Sequence, residues 1–267
     1  MPLNKTPVTT ALVSINVAVF VAMTLTGVSP VEPTTAQLVR WGANWGPLSL
    51  GLQPWRILSS NYLHVGIIHI GLNMWCLWNL GFLAERVFDP WTYVLTYTAC
   101  GLSGSIASLW RHPMVPGAGA SGAIFGLAGA LIAALYLGHL PIPREAVRGT
   151  LRSLVAFAGY NLFFGAVVPA IDNSAHIGGL VCGLVLGAFL ARHLMAPPEA
   201  RRAWRGITFA ATAVILLVLF EMVKRKNSVP LEPTAQALHP PYSVPVSSSS
   251  PSLTVAIERP RTMKVNA

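Results

Sequence analysis

One serine, two histidines and an asparagine lie in apolar stretches of this chain, where polar residues are costly. Ser121 is the hydroxyl of the glycine- and alanine-rich stretch GAGASGAIFG, while His69 and Asn73 belong to HVGIIHIGLN and His176 to AHIGG. A serine hydroxyl is a weak nucleophile alone, and a neutral imidazole in contact with it activates it. The residue types therefore indicate nucleophilic catalysis, provided that the fold brings Ser121 and His176 together.

The composition indicates an integral membrane protein. Of 267 residues, 53% are hydrophobic and only 10% are charged, and the mean hydropathy is +0.57. A soluble domain is typically about 25% charged. The net charge of +9 does not predict nucleic-acid binding, because the basic residues cluster between apolar runs and are typical of a topology signal.

Apolar runs of suitable length predict an all-α polytopic membrane protein, with a six-helix core and a seventh C-terminal span. The first run is interpreted as a retained span, because no cleavage site of a secretory signal follows it. Prolines separate several of the later runs. The predicted spans are Thr9–Val28, Ser59–Leu83, Trp91–Leu109, Ala120–Leu137, Leu151–Val168, Asn173–His193 and Gly206–Val223.

The sequence divides into three predicted regions: a core over 1–196, a linker and seventh span over 197–226, and a tail over 227–267. Proline and serine dominate the tail, which predicts disorder. The long connection between the first two spans contains Trp41, Trp45 and Trp55, a density typical of a segment in the membrane interface.

Lysine and arginine predict that the N-terminus is cytoplasmic, in a plasma (inner) membrane. With that orientation, the segments on the inner side of the first six spans carry Lys5, Arg86, Arg144, Arg148, Arg152, Arg192, Arg201, Arg202 and Arg205, whereas the outer segments carry Arg40, Arg56 and Arg111. The seventh span fits less well, since it places Lys224, Arg225 and Lys226 outside. Either the six-helix core overrules these charges, or this segment does not cross.

The same topology places the polar residues in the outer halves of three spans that run in the same direction. Small residues favour close approach of two of these spans, with Gly122 and Gly126 on the fourth and Gly179, Gly183 and Gly187 on the sixth. We expect this approach to bring Ser121 within hydrogen-bond reach of His176.

Taken in order, these motifs resemble the rhomboid family of intramembrane serine proteases. The resemblance covers roughly residues 11–193 and rests on three patterns: H-x4-H-x3-N (His64, His69, Asn73), G-x-S-G (119–122) and A-H-x-G-G (175–179). Trp55-Arg56 resembles a Trp-Arg pair of the family's first loop, and Glu85-Arg86 partly resembles an acidic-basic element.

The resemblance implies a Ser121–His176 catalytic dyad without a required carboxylate. It implies further that the Ser121 amide, His69 and Asn73 stabilise the oxyanion, with Gly119, Phe125, Gly122 and Gly179 in supporting roles. Phe125 is expected to stack on His176, and Asp172 to cap the sixth span rather than to complete a triad. No cofactor or metal is implied. The expected substrates are single-span membrane proteins, whose helices unwind easily at Gly, Ala or Pro, and the fifth span is the candidate gate.

Each residue also has a purely structural interpretation. Ser121 can be a small packing residue, His176 a cap, and His69 with Asn73 a bond between helices. His64 is interpreted as structural, Gly119 as a helix-start glycine or an opening beside the oxyanion, and Arg56 as an interface anchor. For the whole protein, the alternatives are a catalytically inactive rhomboid relative that binds membrane clients and, less favoured, a histidine metal or haem site or a small transporter.

Overall fold

The computed structural model describes residues 6–138, 141, 143–168 and 171–228, and it is almost entirely helical there. The predicted tail lies outside the described residues apart from positions 227 and 228. The seven long helices are α1 (Pro7–Leu25), α5 (Ile67–Val87), α6 (Pro90–Arg111), α7 (Ser121–Leu137), α8 (Arg144–Val167), α9 (Asn173–Ala191) and α10 (Pro198–Asn227). Between α1 and α5 lie three short helices, α2 (Thr35–Trp41), α3 (Gly46–Ser49) and α4 (Arg56–Ser59).

Five of the long helices, α1, α5, α8, α9 and α10, are long and apolar enough to cross a bilayer. Helix α7 is equally apolar but has only 17 residues. Helix α6 is long but richer in threonine, serine and tyrosine. The chain is therefore an all-α polytopic membrane protein.

Helix α7 is the centre of the bundle. Every residue from Gly122 to Leu131 is buried, and most of these are glycine or alanine. Because small side chains let neighbouring backbones approach, α6 and α9 both pack closely on α7. The N-terminus of α7 and the C-terminus of α6 lie at one end of the bundle, which we call the serine end.

The predicted second span begins later than the sequence indicated. In place of a helix from Ser59, the chain forms α4, a 3-10 turn (Ser60–Tyr62) and a loop, and α5 starts at Ile67. Gly66 causes the break, since its φ of +91° lies in a region that side chains rarely adopt. His64 consequently lies in the loop before the helix and not within it.

The C-terminal helix α10 (Pro198–Asn227) is longer than the predicted span Gly206–Val223, and it includes most of the predicted linker. Near its N-terminus, Arg205 forms an ion pair of 2.7 Å with Asp89, which caps the N-terminus of α6. Near its C-terminus, the Lys226 ammonium donates to the carbonyl of Trp110 over 2.9 Å and lies 4.1 Å from the centre of the Trp110 ring. The 21 steps of helix from Arg205 to Lys226 span about 32 Å, close to the ~30 Å of a bilayer core. Helix α10 therefore runs beside α6 from end to end.

The connection between α1 and α5 folds onto itself around Arg56. This side chain is buried, and its guanidinium donates to the carbonyls of Val39 (2.6 Å) and Ala43 (3.2 Å) and to the side chain of Gln53 (2.7 Å). Arg56 therefore holds this connection together through its buried guanidinium. Its neighbour Trp55 remains half exposed.

Candidate active site

Ser121 is the first residue of α7, and His176 lies in the first turn of α9. The structure brings the two side chains into contact, with Ser121 Oγ 2.9 Å from His176 Nε2. The histidine is buried and the serine partly exposed. A hydroxyl at this distance can donate its proton to the ring nitrogen, which is the geometry that activates a serine nucleophile.

Glycines allow this contact because they remove the side chains that would separate α7 from α9. A Cβ atom on Gly179 would overlap the carbonyl oxygen of Gly122, and one on Gly183 would overlap that of Gly126. The two helices make the most extensive interhelical contact of the described chain. Helix α6 joins them through Gly104, whose Cβ would lie 2.8 Å from the carbonyl oxygen of Ala175.

The ring of His176 is held by an aromatic contact. Phe125, one turn after Ser121, stacks on it with ring centroids 4.2 Å apart and an interplanar angle of 12°. Asp172 instead caps α9, accepting from the amides of Ser174 (2.9 Å) and Ala175 (3.2 Å). His176 Nδ1 has no hydrogen-bond partner within the described ranges.

His69 packs against Gly119, two residues before Ser121. A Cβ on Gly119 would be 2.8 Å from Cε1 and 3.1 Å from Nε2 of His69, and 3.8 Å from Ser121 Oγ. The φ of Gly119 is +144°, so both its conformation and its neighbour require glycine. The amide of Val65 donates to His69 Nδ1 over 3.3 Å, which assigns the hydrogen of the neutral ring to Nε2. The Nε2–H donor of His69 therefore lies on the ring edge that borders Gly119, two residues before Ser121.

The start of α7 supplies a second donor. As the first helical residue, Ser121 has an amide that no intrahelical carbonyl can reach, and it has no partner within the part of the chain described. The helix dipole adds positive potential at the same place. A negative oxygen beside Ser121 would meet an unpaired N–H group.

Asn73 is buried one turn after His69. Its side-chain amide donates to the carbonyl of His69 over 2.9 Å, a bond within α5. One of the two amide hydrogens satisfies that bond, which leaves the second for another acceptor.

Sequence reasoning missed the residues that brace the backbone before Ser121. Asn44 and Gly117 exchange two backbone hydrogen bonds of 2.9 and 2.8 Å, and the Asn44 side chain donates to the carbonyl of Ser105 over 2.9 Å. The amide of Gly119 donates to the carbonyl of Ser60 over 2.9 Å. These contacts join positions far apart in the chain, and no local sequence signal marks them.

His64 is buried completely, with its ring edge-on to that of His69 at a centroid distance of 5.3 Å. Neither of its ring nitrogens has a hydrogen-bond partner within the described residues. Burial lowers the pKa of His64 to about 3, and the nearby His69 contributes to that shift. His64 is therefore neutral at ordinary pH. It does not form a three-ligand cluster with His69 and His176 in the described part of the chain.

Helix α8 is the most exposed of the six helices around the site. It buries only Leu154 and Ala158 fully, and it contacts α7 and α9 sparsely. One contact leads to the site, because Phe157 packs on Phe125 at a centroid distance of 5.7 Å. Near its C-terminus, the carbonyl of Leu162 accepts from the side chain of Asn173 over 2.9 Å.

The fold defines a class, the all-α polytopic membrane proteins, and this member has a serine in contact with a histidine. Comparison with known proteins then gives the family. The model of the rhomboid domain matches residues 51–193, more than half of the chain, and the chain belongs to the rhomboid family.

The chain is similar to several named members of the family. It is 35% identical over 217 residues to rhomboid protease GluP of Bacillus subtilis (strain 168), covering 81% of this chain and 40% of that protein. It is 27% identical over 241 residues to rhomboid protease AarA of Providencia stuartii, covering 82% and 83%. For RHOMBOID-like protein 4 of Arabidopsis thaliana, the identity is 38% over 140 residues, covering 52% and 35%. The chain thus spans well under two thirds of GluP and of this plant relative.

Proposed function

We propose that this chain is an intramembrane serine endopeptidase that cleaves single-span membrane proteins with a Ser121–His176 dyad. The observation that carries the proposal is the 2.9 Å contact between Ser121 Oγ and His176 Nε2. Membership of a family with members named proteases supports it.

The reaction follows from the two side chains. His176 Nε2 takes the hydroxyl proton of Ser121 as the oxygen attacks the scissile carbonyl, and a tetrahedral oxyanion forms. The imidazolium then gives the proton to the leaving amine, and an acyl-enzyme remains on Ser121. Water, deprotonated by the same ring, hydrolyses the ester and restores the serine. Phe125 keeps the ring oriented, which makes a carboxylate partner unnecessary.

The oxyanion is stabilised by hydrogen-bond donors near Ser121. The Ser121 amide and His69 Nε2–H are the principal donors, and the second hydrogen of the Asn73 amide is the third. Loss of one such donor typically costs about 3 kcal/mol in the barrier. Gly119 keeps the space between these groups open.

The position of the cut and the type of substrate follow from the orientation of the chain and from where the dyad lies. With the N-terminus cytoplasmic in a plasma membrane, the serine end faces outward, and cleavage takes place near the outer interface. Helical amides are bonded internally, so a substrate helix must unwind before attack, which favours Gly, Ala or Pro near the cut. Helix α8 is the gate, since few contacts hold it and Phe157 connects it with the site.

We assign the catalytic core to 1–196 and the seventh span to the region after it. Residues 51–193 of the family match lie within that core. Helix α10 packs on α6 and contributes no side chain to the dyad. We place the start of the tail at Ser228, the residue that follows α10.

The proposal is tested with the full chain purified in detergent and a fluorescent single-span substrate. Wild type is expected to cut it, and Ser121→Ala to lose at least a thousandfold in rate, in line with the loss of a serine nucleophile elsewhere. Ser174→Ala, a serine within two residues of His176, is the matched control and should cut normally. Equal cutting by wild type and Ser121→Ala would end the proposal. A wild-type protein that binds the substrate without cutting it would favour the inactive, client-binding alternative.

A further inference from the structure

Helices α6 and α10 leave an apolar groove between them. They are held together near their ends, by Arg205 with Asp89 and by Lys226 with Trp110. Between these contacts lies a cavity of about 570 Å³, also bordered by the segment from α3 to α4. Apolar side chains form most of its wall, among them Leu95, Leu102, Ile106, Phe209, Leu216 and Phe220.

The groove has a charged mouth at the serine end. Glu221 and Lys224 belong to its wall, and Arg225 and Lys226 follow directly on α10. The one ion pair of the described residues joins Arg205 with Asp89, at the other end, so neither Lys224 nor Arg225 has a described acidic partner. With one glutamate and three basic residues, the segment of α10 from Glu221 to Lys226 has a net charge of +2.

The volume of the groove favours a lipid chain over an enclosed helix as the occupant. An α-helix with its side chains is about 10–12 Å across, so a cavity of 570 Å³ would hold roughly 7 Å of one, or about five residues. A hydrocarbon chain is much thinner, because nonbonded carbons pack about 4 Å apart. The groove has room for an acyl chain, whereas it would enclose only a short length of a helix.

We propose that this groove binds a phospholipid of the leaflet at the serine end, with an acyl chain between α6 and α10 and the phosphate against Lys224. An acyl chain already surrounded by lipid gains little hydrophobic energy by entering an apolar groove, so the headgroup contact selects the occupant. The chain fills a gap that the two helices leave open, and it restores dispersion contacts there. The lipid thereby holds the seventh helix against the core.

The contact of the headgroup with Lys224 is tested with the full chain purified in mild detergent. The protein is titrated with dipalmitoyl phosphatidylglycerol or phosphatidylcholine, and the bound lipid is counted by native mass spectrometry. One phosphatidylglycerol should be retained per chain, about fivefold more tightly than phosphatidylcholine, the effect of one basic residue at a lipid surface. Lys224→Gln should remove the preference. Arg225→Gln, its exposed neighbour outside the groove wall, should keep it. An unchanged preference in Lys224→Gln would overturn the proposal.

The acyl-chain part is tested by filling the groove. Ala213→Trp places a large ring in its wall, and Ala211→Trp places the same ring on an exposed face of α10 outside it. The first variant should lose the retained lipid and the second should keep it. Leu95→Trp fills the groove from α6 and gives an independent result if Ala213→Trp does not fold. Equal lipid retention in all variants would overturn the proposal. So would binding of glycerol phosphate as tight as that of the phospholipid, because it would show that the acyl chain is not needed. A dimer that only Ala213→Trp dissociates would overturn it as well, because a second copy would then occupy the groove.

Discussion

Phe125 lies flat against His176, with ring centroids 4.2 Å apart and planes within 12°. Helix α7 thus supplies both the hydroxyl that touches the imidazole and the ring that supports it. A side chain held on one edge and one face by the same helix cannot turn without losing both contacts. In the proposed mechanism, this ring takes the orienting role that a carboxylate has in a serine–histidine–aspartate triad.

Replacing Phe125 should slow the chemical step. Phe125→Leu removes a stacking contact worth about 0.5–1.5 kcal/mol, which corresponds to a two- to tenfold lower kcat with little change in KM. Phe189→Leu, an exposed phenylalanine on α9, should leave kcat unchanged. The measurement is steady-state cleavage of the single-span substrate. A rise in KM at constant kcat would assign Phe125 to substrate binding instead.

Gly119 should tolerate no side chain. Its φ of +144° and the 2.8 Å from an added Cβ to His69 Cε1 predict that Gly119→Ala displaces His69 and lowers kcat at least a hundredfold. In Gly117→Ala the Cβ meets nothing closer than Ser108 Oγ at 3.4 Å, so that variant should stay active. Cleavage rate and thermal unfolding are measured for both. Full activity in Gly119→Ala would show that His69 is not needed where the structure places it.

The contact of α7 with α9 should be sensitive to a single methyl group. Gly179→Ala forces the carbonyl of Gly122 away, so we expect a lower unfolding temperature together with loss of cleavage. Gly71→Ala is the matched control, since its Cβ has no neighbour within 4 Å and alanine favours a helix. A variant at 179 as stable and active as wild type would contradict the close packing.

Acid should destabilise the protein through His64. Its pKa is about 6.5 when unfolded and about 3 in the fold, so the folded state favours the neutral ring. Stability is complete above pH 6.5 and falls as the pH drops towards 3, by about 2 kcal/mol at pH 5. His64→Gln should lose this part of the acid sensitivity, whereas His112→Gln, an exposed histidine, should keep it. Chemical unfolding in detergent at pH 5 and pH 8 measures the difference, and equal pH dependence in wild type and His64→Gln would contradict the burial.

The path of α10 predicts which positions share a side of the membrane. In a chain with its cysteines replaced by alanine, Met114→Cys and Ser228→Cys should react together with an impermeant maleimide added outside sealed cells. Arg148→Cys, near the start of α8, should react only after the membrane is opened. Protection of Ser228→Cys with labelling of Met114→Cys would show that α10 does not cross.

The spacing of polar and small residues was enough to predict the helical class and which side chains meet at the site. Helix periodicity and span direction are local properties, so Ser121 and His176 could be expected at one depth. The start of α5 could not be predicted, because apolar residues continue before Ile67 and only the unusual φ of Gly66 stops the helix.

Contacts between segments distant in the chain also could not be predicted from the sequence. Nothing near Asn44 indicates that it pairs with Gly117, and Arg56 reads equally well as a surface anchor or as a buried donor. The length of α10 was missed because its first turns carry three charged residues before Trp204, namely Glu199, Arg201 and Arg202, and on composition alone these indicate a linker. Its polar first turns instead extend the helix beyond the apolar run, where Arg205 meets Asp89.

The most direct test of the dyad is labelling with a fluorophosphonate, which reacts only with an activated serine. Peptide mass spectrometry of the labelled wild-type protein should find the adduct on Ser121. The labelling rate should fall by two orders of magnitude or more in His176→Ala and stay unchanged in Ser174→Ala. Labelling of Ser121 at an equal rate with and without the imidazole, or an adduct on another serine, would contradict the account.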